Sequence, residues 1–229
     1  MSPMNPPVLS GCGLELSFRD GNRSVQALRG VDIEIANGCF HGIMGPSGSG
    51  KSSLLTILST LRRPTAGSVL LGGVAIESLS DKRRAEIRRR EFGFVFQQPF
   101  LLPWLTVLEN TLVSMDPRDK PARDRAWELL EQLGVAGLAG RYPEQISGGE
   151  RQRVSVVRAL VHEPRIVFAD EPTAALDQEN GHRVVDALAR WKKRGAVVVV
   201  THDAGMLRDA DSVVELRDGV RVASEIPSP

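Results

Sequence analysis

The chain has 229 residues, 41% of them hydrophobic, and carries 29 basic against 28 acidic side chains. That length can bury a substantial core, while the near-balance of charge excludes the broad basic field of a nucleic-acid or membrane-surface binder. No apolar stretch approaches the ~20 residues that span a bilayer, and "MSPMNPPVLSG" lacks the basic and apolar regions of a secretory signal, so a soluble chain is expected, with any membrane role exerted through a partner. Cys12 and Cys39 lie far apart with no CxxC or Cys/His cluster, which disfavours a disulfide framework or zinc site and suits a reducing cytoplasm.

In chain order, "GLELSF", "VDIEIA" and "CFHGIMG" read as short strands separated by the turn signals "RDGN" and "ANG", the pattern of a small antiparallel layer. After "GPSGSGK" the period changes: Leu54, Leu55, Ile57, Leu58 and Leu61 cover much of a helix surface and predict a buried helix. "GSVLLGGVAI" predicts a hairpin. The run "DKRRAEIRRRE" from Asp81 to Glu91 reads as a solvated helix face with interleaved acids. Residues from about 100 to 159 look like a helical insertion, in which "PARDRAWELLEQLG" places Pro121 near a helix start, Ala126, Leu129, Leu130 and Leu133 on one face, and Gly134 past the end. "RIVFA" and "AVVVV" are the near-continuous apolar runs of central parallel strands, and "SVVELRDGVRVA" has Asp-Gly between two alternating runs, a hairpin signal. The pattern is α/β throughout: one unit interrupted by a helical subdomain.

Three segments carry chemistry. Gly45 to Ser52 fits G-x-x-x-x-G-K-[ST] between a strand and a helix: the loop from Gly45 and Pro46 to Gly50 can bring successive backbone N–H groups onto phosphate oxygens at a helix N-terminus. Proline itself has no N–H to offer; Ser47, Gly48, Ser49 and Gly50 do. Lys51 supplies a point charge for the β and γ phosphates, and Ser52, followed by Ser53, a hydroxyl ligand for Mg2+. This stretch grips a nucleoside triphosphate. The second segment is "RIVFADEP", where Asp170 emerges at the end of an apolar strand and can hold Mg2+, with Glu171 beside it to orient and polarise an attacking water. The third is "ISGGERQRV": Ser147-x-x-Glu150 is a capping box, yet Gly148 and Gly149 weaken the first turn by about 1 kcal/mol each relative to alanine, a cost that makes sense if their backbone approaches a second phosphate.

"GPSGSGKSS", "FVFQQ", "ISGGERQRVSVVRAL", "IVFADEPTAALD" and "VVTHD" occur in the order of the nucleotide-binding subunits of ATP-binding-cassette (ABC) transporters, and the chain resembles that family from about Leu14 to Ala223. The resemblance implies a P-loop NTPase (RecA-like) core at about 11–99 and 160–224, an antiparallel β layer and a helical subdomain insertion at about 100–159, together one ABC ATPase domain over 1–229. It implies ATP and Mg2+ as ligands, with Gln97 reaching Mg2+ and the attacking water and His202 contacting the γ-phosphate. It also makes Ser147, Gly148 and Gly149 the signature that serves a nucleotide held by the opposite subunit, Asp177 the aspartate of the loop linking the two sites, and Phe18 the ring that stacks on adenine. Ile146 replaces the usual leucine of the signature, and Ser155 and Val157 replace usual alanines.

The same resemblance implies a head-to-tail homodimer working with a separate transmembrane permease, a peripheral location on the inner face of the cell membrane, and no nucleic-acid partner. Its motifs are most similar to the compact cassettes of lipoprotein-release and macrolide-export systems, which points to export; an ATP-dependent signalling module acting through a permease-like partner is the alternative. Phe100, Leu101, Leu102 and Trp104 form an apolar cluster that suits either a permease helix or packing within the subdomain.

Overall fold

The protein is described from a computed structural model, which covers residues 7–20, 23–116 and 118–222. Two long strands, β1 (Pro7–Asp20) and β2 (Arg23–Ala36), pair antiparallel. Val31, Ile33 and Ile35 are buried while Asp32 and Glu34 face solvent, the period-two alternation of a sheet with one wet face. β4 (Ala66–Leu71) and β5 (Val74–Ala75) complete this layer in the order β2-β1-β4-β5, with the predicted hairpin between them.

β3 (Phe40–Met44) does not join that layer, contrary to the expectation for "CFHGIMG". It pairs parallel to β8 (Ala196–Val200) on one side and β9 (Ser212–Arg217) on the other. Its burial gives the reason: four consecutive residues from Phe40 to Ile43 are buried, the signature of a strand covered on both faces. The six-stranded sheet runs β10-β9-β3-β8-β7-β6, where β6 is Phe92–Val95, β7 is Ile166–Asp170 and β10 is Val220–Val222. β10 alone runs antiparallel, joined to β9 by a turn in which Asp218 and Gly219 both take positive φ, as an Asp-Gly hairpin requires.

Helix α1 (Lys51–Leu58) buries Leu54, Leu55, Ile57 and Leu58 between the two sheets. Leu61 does not take part; the helix ends at Leu58, Thr60 turns the chain with φ +60°, and Leu61 is exposed. α2 (Asp81–Glu91) is the basic helix, with only Ile87 buried. Between β6 and β7 the described chain is helical: α3 (Val107–Thr111), α4 (Lys120–Gln132), two 3-10 turns and α5 (Gly148–Leu160). α4 starts on an Asp119 cap with Pro121 in its first turn and ends before Gly134 at φ +67°. α6 (Gln178–Trp191) buries Val184, Leu188 and Trp191 against the face of the sheet opposite α1.

The four strands β3, β8, β7 and β6 are neighbours and parallel, so their carboxyl ends open on one edge of the sheet. In sequence those ends run into Gly45, Thr201, Glu171 and Gln97. Chain topology alone therefore gathers segments more than a hundred residues apart, at the edge where α/β sheets present ligand-binding groups.

Candidate functional site: a phosphate cradle facing two carboxylates

A cleft of about 390 Å3 lies at this edge, lined by Ala27, residues 47–53, Gln97, Asp170, Glu171 and His202. Its floor is the loop between β3 and α1. Gly45 and Gly50 adopt φ +148° and +101°, and an added Cβ at Gly50 would lie 2.5 Å from the Ala27 carbonyl oxygen, so only glycine lets the loop turn into α1 there. At Gly48 an added Cβ would meet nothing within 4 Å, which leaves the loop backbone open towards the cleft.

Lys51 is buried and donates from Nζ to the carbonyl oxygens of Gly45 and Pro46 at 2.8 and 3.0 Å. The ammonium is thus stationed over its own loop, surrounded by acceptors on one side only. Ser52 Oγ donates to Asp170 Oδ1 at 3.2 Å, which brings a hydroxyl and a carboxylate together as a hard, all-oxygen donor pair suited to Mg2+. Burial pushes the Asp170 carboxyl above the usual range; the Ser52 hydrogen bond opposes this, the neighbouring Glu171 charge adds to it, and Lys51 opposes it again. A buried carboxylate held against its own charge is a site that welcomes a cation. Ser49 Oγ is buried with no protein partner, an orphaned polar atom beneath the loop. The cradle, the unpartnered hydroxyl and the oxygen pair fit a magnesium-bound triphosphate.

Glu171 sits at φ +45°, a left-handed conformation uncommon for a residue other than glycine. Its N–H donates to Val200 O at 2.8 Å, its Oε1 lies 2.8 Å from His202 Nδ1, and its Oε2 accepts from Thr201 Oγ1 at 3.1 Å. The end of β8 therefore fixes both the backbone and the carboxylate of the residue that follows β7. Gln97 is exposed at the rim of the cleft.

Ser147, Gly148, Gly149, Asp177 and Phe18 do not line this cleft. Ser147 and Glu150 form the predicted capping box, with Ser147 N–H donating to Glu150 at 2.7 Å and Glu150 N–H donating to Ser147 Oγ at 3.2 Å. A Cβ at Gly148 would make only an ordinary contact with Arg151 Nη2 at 3.8 Å, whereas one at Gly149 would come within 3.1 Å of Leu176 Cδ2. The second glycine thus has a packing reason, a close approach to the loop after β7, that the local sequence does not reveal. Asp177 caps α6, accepting from the Asn180 backbone N–H at 2.9 Å and its side-chain amide at 2.7 Å, and these bonds hold its carboxyl below the usual range. Phe18 packs against the core under the Arg62 guanidinium, 4.7 Å from its ring centroid.

Of the apolar cluster after Gln97, Phe100 and Trp104 are 63% and 69% exposed, while Leu101 packs against the core. The segment thus divides between outward-facing and packed side chains. Two residues at the site went unmarked in the sequence: Ala27, which lines the cleft, and Thr201, which is buried behind Glu171 and looks like an ordinary strand-end threonine.

The ABC transporter family model matches residues 28–174. The lipoprotein-releasing system ATP-binding protein LolD of Legionella pneumophila (strain Paris) is 41% identical over 227 residues, covering 97% of this chain and 100% of that protein. The macrolide export ATP-binding/permease protein MacB of Rhodopseudomonas palustris (strain HaA2) is 44% identical over 221 residues, so the chain spans about a third of its length, 34%. Among solved structures, an ATP-binding cassette captured as a dimer in a post-hydrolysis state with ADP and Pi superimposes with a TM-score of 0.88 at 36% identity, covering 95% of this chain and 97% of that one. With the family model matching more than half of the chain and the P-loop NTPase fold shared with these neighbours, the protein belongs to the ABC transporter family, and it is an ATP-binding cassette, an ATPase that works with ATP and Mg2+.

Proposed function

We propose that this chain is the ATP-hydrolysing subunit of an export-type ABC transporter, driving a separate transmembrane permease from the inner face of the cell membrane. The observation that carries the reading is the convergence of the cradle, Asp170, Glu171, Gln97 and His202 at one edge of a parallel sheet, with the signature on a different surface of the same chain. Such a chain owns two half-sites that cannot meet each other, and a head-to-tail pair joins each cradle to the other copy's Ser147, Gly148 and Gly149. Asp177 then lies along the interface between the two sites, and Phe18, its ring held by Arg62, is the platform for adenine. The dimeric state of the solved neighbours supports this arrangement.

Lys51 leaves the carbonyls of Gly45 and Pro46 to meet the β and γ phosphates, and Ser49 satisfies its orphaned hydroxyl at the same loop. Ser52, Asp170 and Gln97 would hold Mg2+, which when bound would neutralise charge on the phosphate oxygens. Glu171, its carboxylate fixed from both sides, takes a proton from the attacking water, and His202 reports the γ-phosphate to the rest of β8. Closure depends on the γ-phosphate, so turnover opens the pair, the differential binding that a switch requires. Export is supported by the relatives named for lipoprotein release and macrolide export. Among the described residues no helix is long and apolar enough to cross a membrane, and a cleft of about 330 Å3 bordered by Phe92, Phe96, Phe100 and Leu102 is the assigned seat of a permease helix.

Glu171→Gln tests the reading. It should leave ATP affinity within about twofold of the parent while lowering turnover by about a hundredfold or more, the range of a lost general base. Undiminished turnover would refute the role given to Glu171.

A further inference from the structure

Thr201 is fully buried, and its hydroxyl faces three groups. It accepts from the Asp203 N–H at 3.1 Å, lies 3.1 Å from Glu171 Oε2, and lies 3.4 Å from Met206 Sδ. A hydroxyl has one hydrogen to give. With its acceptor side engaged by Asp203 and the residue sealed from bulk solvent, that hydrogen goes to the better acceptor of the remaining two, the carboxylate rather than the thioether. Met206 is meanwhile supplied by Thr173 Oγ1 at 2.8 Å.

The backbone of Thr201 is as firmly placed as its side chain. Its N–H donates to Ile43 O at 3.2 Å, on the strand that leads into the phosphate cradle, and the preceding carbonyl, Val200 O, accepts the Glu171 N–H. Thr201 is therefore tied to β3 through its backbone and to Glu171 through its hydroxyl. The His202 imidazole, by contrast, is mostly exposed and is assigned a second duty at the γ-phosphate, so its hold on Oε1 is shared between the carboxylate and the nucleotide. The Thr201 bond has no competing duty.

We propose that Thr201 is a positioning residue for hydrolysis: its hydroxyl holds Glu171 Oε2 in register with the cradle throughout the cycle, leaving the other carboxylate oxygen to the water. This rests on the reading of Glu171 as the group that activates water. The plain alternative is that the hydroxyl only terminates the turn at Asp203.

Thr201→Val keeps the shape and removes the donor. In the full chain it should lower kcat for Mg2+-ATP by about tenfold, the equivalent of about 1.4 kcal/mol, with KM and the affinity for ATP measured by titration unchanged within about twofold; Thr201→Ser should restore kcat. In single-turnover assays Thr201→Val should cause no further loss once Glu171 is glutamine-substituted, because the two act as a unit. Unchanged kcat in Thr201→Val, or an equal loss in the presence and absence of Glu171, would overturn the proposal. Should Thr201→Val not fold, Thr201→Ala against Thr201→Ser differs by the hydroxyl alone and decides the same point. If instead Glu171→Gln itself turns over normally, the reading of Glu171 fails, and the positioning role falls with it for a separately visible reason.

Discussion

Lys51 and Asp170 show how single residues in this cleft wait for a ligand. The lysine spends its hydrogen bonds on two carbonyls of its own loop, and the aspartate carries a charge that burial opposes. Replacing Lys51 with alanine removes the charge that meets the phosphates, and ATP titration should show affinity falling by about tenfold or more, since a charged hydrogen bond is worth roughly 1.5–3 kcal/mol. For Asp170 the sign is set by its raised carboxyl: the folded chain holds the proton more tightly than the unfolded chain. The favourable contribution is therefore full below the ordinary value of 3.8 and is lost as pH rises through the folded value. At neutral pH the buried charge is a standing cost, so Asp170→Asn should raise the melting temperature of the nucleotide-free protein by a few degrees, at about 2–4 °C per kcal/mol. That gain should shrink on acidification, and Mg2+-dependent turnover should fall. Calorimetry at pH 7 and pH 4 checks the first part and a steady-state assay the second. Lys51 stands out in the sequence because it falls in a contiguous glycine-rich pattern after a strand, and Asp170 because it closes an apolar strand. Thr201 does not, because a threonine closing an apolar strand looks the same whether its hydroxyl caps a turn or holds a carboxylate brought from another strand.

Helix α5 links the two chemical segments. Its N-terminus carries Ser147 and the glycines, while further along Gln152 Nε2 donates to Phe96 O at 2.9 Å and Arg158 donates to Phe100 O at 2.8 Å and Pro99 O at 2.6 Å. The loop that holds Gln97 is thus hydrogen-bonded on both sides to the helix that starts at Gly148. Arg158 is half-buried, and desolvation lowers its guanidinium from the usual range. Arg158→Met keeps much of the bulk and removes both donors; hydrogen exchange over residues 97–104 should accelerate, with kcat down several-fold and the fold intact. The helices of this region and the hairpins were readable from period and turn chemistry. The placement of β3 was not, because a short apolar strand after two alternating ones carries no mark of which sheet it joins, and pairing with β8 and β9 is settled by residues more than 150 positions away.

Across the whole molecule, the cradle and the Ser147–Gly149 turn lie apart, and on the proposed function each is completed only by a second copy. Local sequence marks two glycine-bearing helix starts, at Lys51 and at Gly148, but their separation is a property of the fold: α5 lies in the helical segment between β6 and β7, and its first turn does not line the cleft. The most direct test of the account is light scattering on Glu171→Gln with saturating ATP and Mg2+. The account predicts a dimer with ATP and a monomer with ADP, and predicts that adding Ser147→Arg on the same chain returns the ATP-bound protein to monomer while nucleotide still binds. A monomer with ATP at high protein concentration, or a dimer indifferent to Ser147→Arg, would contradict it.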